Sequence, residues 1–208
     1  MISRRFFVSL VASLCLSLGC IGCGGGNSSP TAPNAITVVA LGDSITAGFG
    51  TTGNNDYVSR LSSRTGVPIV NAGRIGDTTG DALNRLDSAV LSRNPKIVIV
   101  LLGGNDVLQS VPVPQRVSNI TTIAQRIRQR GAAVILVDLG SGVLDAFGGA
   151  LPGIAAQTTS RYVPGVLEGV FGVPSLMNAD GIHPNDAGHA IIADRIEPAL
   201  RAEIAAAG

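Results

Sequence analysis

Three side chains in this chain have the types and spacing for nucleophilic acyl transfer. Ser44 follows the apolar run Ile36 to Leu41 across Gly42 and Asp43. His183 stands in the loop Asp180-Gly181-Ile182-His183-Pro184-Asn185, and Asp180 precedes it by three residues. A serine hydroxyl is a weak nucleophile until a base takes its proton, and imidazole serves as that base when a carboxylate orients it. His189, the other histidine, falls inside the last helical segment, which leaves His183 as the candidate base. Asp180, in a tight glycine-containing loop, can accept from one ring nitrogen while the other faces Ser44. An oxyanion needs donors, and the Ser44 and Gly73 backbone amides with the Asn105 side-chain amide are the candidates. Taken alone, Gly-x-Ser after a strand is most often an ordinary turn.

These residues need a scaffold that brings them to one edge. Apolar runs alternate with amphipathic segments: strands at Ile36 to Leu41, Pro68 to Asn71, Ile97 to Leu102 and Ala133 to Asp138, and helices at Asp56 to Arg64, Thr79 to Ser92 and Pro114 to Arg130. Continuously apolar strands separated by helices predict a parallel sheet covered on both faces. A short helix within Gly148 to Ser160 and a fifth strand at Arg161 to Val166 are expected next, with Val173 to Met177 as the other reading of that strand. Asn185 caps a last helix whose Ile191, Ile192, Ile196, Leu200 and Ile204 form an apolar face. Gly42 is expected to turn the chain sharply after the first strand. In an open parallel sheet, ligands bind beyond the carboxyl ends of the strands, so Ser44, Gly73, Asn105 and the Asp180/His183 loop converge.

The chain has 208 residues, 45% hydrophobic and 14% charged, which suits one domain and a short appendage. Met1 to Arg5 is basic and Phe6 to Leu18 is apolar, the lengths of a secretory signal and too short for a spanning helix. Removing Arg4 and Arg5 from the 15 basic residues leaves 13 against 14 acidic ones, and no nucleic-acid partner is expected of so neutral a surface. All three cysteines, Cys15, Cys20 and Cys23, lie in this leader, so the folded part has neither disulfides nor a cysteine zinc site. The boundaries expected are residues 1–22 as signal peptide, 23–34 as a flexible Gly/Ser/Asn/Pro tether and 35–208 as the catalytic domain. No metal is expected, because no third ligand joins Asp180 and His183 at suitable spacing. Gly48-Phe49-Gly50-Thr51-Thr52-Gly53 matches a dinucleotide pattern but begins after the first strand has ended, and no acid ends the second strand. It is read as a loop beside the site, and no cofactor is expected.

Gly42-Asp43-Ser44, Gly73, Gly103-x-Asn105-Asp106 and Asp180-x-x-His183 resemble, in order, the four blocks of the SGNH (GDSL-type) hydrolases. Gly76-Asp77-Thr78-Thr79 and the runs around Asn105 and His183 are similar to the branch of thioesterase I, lysophospholipase L1 and arylesterases. The resemblance spans about residues 36–200. It implies a flavodoxin-like three-layer α/β/α fold with five parallel strands in the order 2-1-3-4-5. It also implies Ser44 as nucleophile, His183 as general base, Asp180 as orienting acid, and Ser44, Gly73 and Asn105 as oxyanion hole. Ile45 replaces the family's leucine, a volume-conserving change, while residues 140–177 depart from the thioesterase pattern and bear on the substrate pocket. Leu16 to Gly26 resembles a bacterial lipoprotein signal, with Cys20 or Cys23 lipidated. The expectation is an exported, membrane-anchored, monomeric serine esterase facing the periplasm or exterior and acting on small acyl esters. The alternatives are a carbohydrate O-acetyl esterase of the same fold and a noncatalytic lipoprotein binding module.

Overall fold

The computed structural model of the protein describes residues 36–208. The expected signal peptide, tether and lipid attachment at Cys20 or Cys23 fall outside the described residues. Strands β1 (Val38–Gly42), β2 (Ile69–Gly73), β3 (Ile97–Leu101), β4 (Ala133–Val137) and β5 (Arg161–Val163) form one parallel sheet in the order 2-1-3-4-5. Every residue of β1 and β3 is buried, as strands covered on both faces must be. Because β1 lies between β2 and β3, the chain leaves it in one direction and returns past it in the other. That reversal opens a crevice beyond the ends of β1 and β3.

Eight helices complete the described fold: α1 (Ser44–Ala47), α2 (Tyr57–Thr65), α3 (Thr79–Asn84), α4 (Leu86–Ala89), α5 (Gly104–Leu108), α6 (Val113–Gln129), α7 (Leu151–Gln157) and α8 (Asp186–Ala207). Their starts follow from short polar side chains. Asp56 caps α2 by accepting from Ser59 N, Thr78 and Asp81 form a reciprocal capping box on α3, and Asn185 accepts from Ala187 N and Gly188 N on α8. Helix α2 packs on α8 and α3 on α6, and these pairs cover the sheet. On α8, Ile192, Ile196 and Leu200 are fully buried at helical spacing.

Several local expectations differ from what is observed. The single helix over Thr79 to Ser92 is broken at Arg85 into α3 and α4, followed by a 3-10 turn at Leu91–Arg93. Arg85 points inward, its guanidinium bonded to the Asp77 carboxylate and, at 3.1 Å, to the Gly42 carbonyl at the end of β1. β5 stops at Val163 because Pro164 has no N–H to continue the ladder and Gly165 turns at φ 52°. The other candidate strand, Val173 to Met177, is mostly a 3-10 turn at Pro174–Leu176.

Gly42 is not the turn residue. It is the last residue of β1, and a Cβ there would lie 2.6 Å from Leu101 O. Its register partner Gly73 is equally crowded, with a Cβ position 2.6 Å from Thr46 C. The two glycines together let α1 sit directly on the ends of β1 and β2, and the turn itself falls at Asp43 (φ −98°, ψ −144°). That seating places Ser44 at the edge of the crevice.

Candidate active site

Ser44 is the first residue of α1, and Asp43 caps the helix by accepting from Ile45 N at 3.0 Å. Its hydroxyl is nearly buried and lies 2.9 Å from His183 Nε2, while His183 Nδ1 is 2.7 Å from Asp180 Oδ2. The other Asp180 oxygen accepts from Ile182 N at 2.9 Å and His183 N at 3.0 Å. These backbone bonds, first that of His183 N, then the ring contact, hold the Asp180 carboxyl down at about 2. An ionised Asp180 accepts the Nδ1 proton, which leaves Nε2 unprotonated and able to take the Ser44 proton. Residues 139 positions apart thus form one proton relay.

The loop carrying Asp180 and His183 is held by its own backbone. Asn178 N donates to His183 O at 2.8 Å, Gly181 turns at φ 67°, and Met177 bridges to Pro184. Asn185 caps α8 and also donates to Ser175 O at 3.0 Å, which ties the loop to the preceding turn.

On the opposite wall, Gly103 (φ 115°) leads into α5, whose first turn carries Asn105. A Cβ on Gly103 would lie 2.6 Å from that of Ala146, so only glycine fits. Asn105 Nδ2 donates to Asp77 O at 3.0 Å, and with two amide hydrogens it keeps one for another acceptor. Asp106 is fully buried and accepts from Thr79 N at 2.8 Å and Thr79 Oγ1 at 2.6 Å, linking α5 to the start of α3.

The structure does not support Gly73 as an oxyanion donor. Its amide donates to Asn71 Oδ1 at 2.9 Å, and its Cα packs against the backbone of α1. The loop that follows offers another amide, that of Gly76 (φ 85°). A Cβ there would meet nothing within 4 Å, its N–H has no acceptor among the described residues, and it stands beside Asp77, whose carbonyl accepts from Asn105. The sequence carried a signal for it, a glycine directly preceding Asp77-Thr78-Thr79.

Ser44 and His183 open on a cleft of about 210 Å³. Its walls are mostly apolar: Ile45 from α1, Val107 from α5, and Leu139, Leu144, Leu167 and Phe171 from the segment after β4. Residues 140–177, whose sequence departs from the family pattern, therefore form one side of the cleft. The exposed large apolar side chains Leu108, Phe171 and Ile182 stand at its rim. A wider groove of about 620 Å³ runs along α2, but its Arg60 is bonded to Asn55 and its Arg64 to Asp194 and Glu197. No group of three His, Cys, Asp or Glu residues suited to a metal ion occurs among the described residues.

Two buried groups next to this site titrate in opposite senses. Burial raises the Asp43 carboxyl to about 6, against the Ile45 N–H that favours its charge. The folded state thus keeps a proton that the unfolded chain releases near 3.8, and stability falls as pH rises from about 4 to 6. His189 has no solvent exposure, its Nδ1 accepts from Tyr57 N at 3.2 Å, and its Nε2 has no partner among the described residues. Burial lowers it to about 4, so the unfolded chain takes up a proton from 6.5 downward that the folded state refuses. Stability therefore falls as pH drops through nearly the same window, and the two slopes oppose each other. Relative to the parent, Asp43→Asn is expected to steepen the loss of Tm between pH 6.5 and 4, and His189→Gln to flatten it. Parallel Tm curves for parent and both variants would overturn this assignment.

The GDSL-like Lipase/Acylhydrolase family model matches residues 40–191, which include every site residue described above. Esterase TesA of Pseudomonas aeruginosa is 34% identical over 178 residues, covering 80% of this chain and 89% of that protein. The Escherichia coli protein named thioesterase 1/protease 1/lysophospholipase L1 is 30% identical over 168 residues, covering 77% and 81%. The crystal structure of TesA superposes with a TM-score of 0.75 at 33% identity, covering 80% of this chain and 99% of that one. Shared fold, ordered motifs and similarity along most of both chains agree, and the chain belongs to the GDSL-like lipase/acylhydrolase family of SGNH ester hydrolases.

Proposed function

We propose that the protein is an exported, lipid-anchored serine esterase that cleaves acyl esters through an acyl-enzyme on Ser44. The observation that carries this reading is the relay Asp180 Oδ2, His183, Ser44 Oγ, with spacings of 2.7 and 2.9 Å, opening on an apolar cleft. Ser44 Oγ attacks the ester carbonyl carbon while its proton passes to His183 Nε2, and the imidazolium formed is stabilised by Asp180. The carbonyl oxygen becomes an oxyanion held by the Ser44 amide, the Asn105 side chain and the Gly76 amide. As the carbon–oxygen bond to the alcohol breaks, Nε2 returns its proton to the departing oxygen. Water then attacks the acyl-serine with His183 as base, releases the acid and restores Ser44.

The apolar walls and rim support an ester with a hydrocarbon acyl group, and the names of the relatives add lysophospholipids and thioesters as candidates. Export and anchoring rest on the basic start, the apolar Phe6 to Leu18 run and the cysteines Cys20 and Cys23. Exposure to a fluorophosphonate probe is expected to label the folded protein on a single peptide containing Ser44. Turnover of p-nitrophenyl esters from acetyl to palmitoyl is expected to peak at the acyl length the cleft accommodates. A folded protein that neither takes the label nor hydrolyses any ester in the panel would instead be a noncatalytic binding module. Intact mass of membrane-extracted protein is expected to show a lipidated cysteine at the mature N-terminus, and an unlipidated mass would overturn the anchor.

A further inference from the structure

His183 sits on a loop at the surface, its side chain 17% exposed and that of Asp180 37% exposed. Hydrogen bonds so close to water compete with solvent, and a general base must hold its geometry within a fraction of an ångström. Among the described residues, one aromatic ring packs on the imidazole. Phe49 lies with its ring centroid 4.6 Å from that of His183, tilted by 53°. Tilted contacts at this distance are favourable for aromatic pairs, and they restrict both rings.

Phe49 belongs to the loop between α1 and α2, in which Gly48, Gly50 and Gly53 all have positive φ. A loop so rich in glycine has many conformations open to it unless something outside holds it. Asp186, three residues beyond His183 at the start of α8, provides that hold. Its carboxylate accepts from Thr52 N at 2.9 Å, from the Thr52 hydroxyl and from Asn55 Nδ2 at 3.0 Å. Arg60 bonds the Asp186 carbonyl at 3.3 Å, so backbone and side chain of one residue are both engaged. On the other side, Gly50 lies against Asn178, whose amide bonds His183 O and Pro184 O. The Phe49 loop and the His183 loop are therefore joined at two points.

We propose that Phe49 is a positioning residue for His183, its ring holding the imidazole between Asp180 and Ser44 and screening their hydrogen bonds from water, with Asp186 as the latch that keeps Phe49 in place. The proposal rests on the esterase reading for its kinetic consequence, while its geometric content does not depend on turnover. Phe49 is 44% exposed, so its replacement leaves the core intact.

Phe49→Ala is expected to lower kcat by about 10- to 100-fold, the scale of a misplaced catalytic group, with KM within twofold and Tm near the parent's. Phe49→Tyr is expected to restore kcat. Asp186→Ala is expected to act in the same direction, and the double variant to be no slower than the worse single one, because both changes remove one device. Proton NMR gives a readout independent of hydrolysis. The His183 Nδ1 proton resonance is expected to be broader in Phe49→Ala than in the parent, through faster water exchange. A variant with parental kcat and an unchanged Nδ1 resonance would overturn the proposal, as would a rise in KM alone, which would make Phe49 a substrate contact. If the parent hydrolyses nothing, the NMR comparison still decides the positioning role, and the failure belongs to the esterase reading.

Discussion

Replacing Ser44 with alanine is expected to lower kcat/KM for a p-nitrophenyl ester by about 10⁴- to 10⁶-fold and to abolish fluorophosphonate labelling. The size of the effect follows from the relay. Without Oγ there is no acyl-enzyme, and His183 Nε2, 2.9 Å from the missing atom, has no proton to take. What survives is binding plus the oxyanion donors, which can still assist attack by water at a residual rate. The fold is expected to be unaffected, because the α1 cap is the Asp43 carboxylate rather than the serine hydroxyl. Near-identical melting curves with the activity gone would separate chemistry from stability. Turnover undiminished in this variant would sink the assignment of Ser44.

Asp180→Asn is expected to cost about 10⁴-fold in kcat, and the reason is the direction of each hydrogen bond. Asp180 Oδ1 accepts from two backbone N–H groups, at 2.9 and 3.0 Å, while Oδ2 faces His183 Nδ1. The asparagine carbonyl oxygen takes the Oδ1 place, since only it can accept there, and its NH₂ must then face Nδ1. A donor opposite Nδ1 favours the tautomer with the proton on Nε2, where it blocks the Ser44 hydroxyl from donating. Loop geometry is retained and the base is disabled. The measurement is kcat at neutral pH beside a circular dichroism spectrum, and a loss below tenfold would show that the carboxylate does not set the tautomer.

The sheet and the broad position of the site could be read from the chain because both depend on local pattern. Wholly apolar β1 and β3 and the four-residue spacing on α8 declare their burial without reference to anything distant. Ser44, Asn105 and His183 could be placed together because each lies just past the end of an element, and a parallel sheet brings such positions to one edge. What escaped depends on partners far along the chain. The break at Arg85 goes with bonds to Asp77 and Gly42, and the commitment of the Gly73 amide depends on which way the Asn71 side chain turns. Phe49 looked like one residue of a glycine-rich loop, and its contact with His183 joins positions more than 130 residues apart. Leu139, Leu144, Leu167 and Phe171 became cleft wall only when the segment after β4 folded back.

The path of α8 has a practical consequence. It starts beside the Thr52 loop at the cleft edge and runs for 22 residues, about 33 Å, so that Glu203 reaches Arg161 at the start of β5. β1 also begins at that far edge, with Val38 paired to Ile69 and Ile97 at the starts of their strands. Ile36 and Ala207 thus share the back of the domain, away from Ser44. A carrier protein fused at either point, or a solid support coupled there, would grip the domain from behind and present the cleft outward.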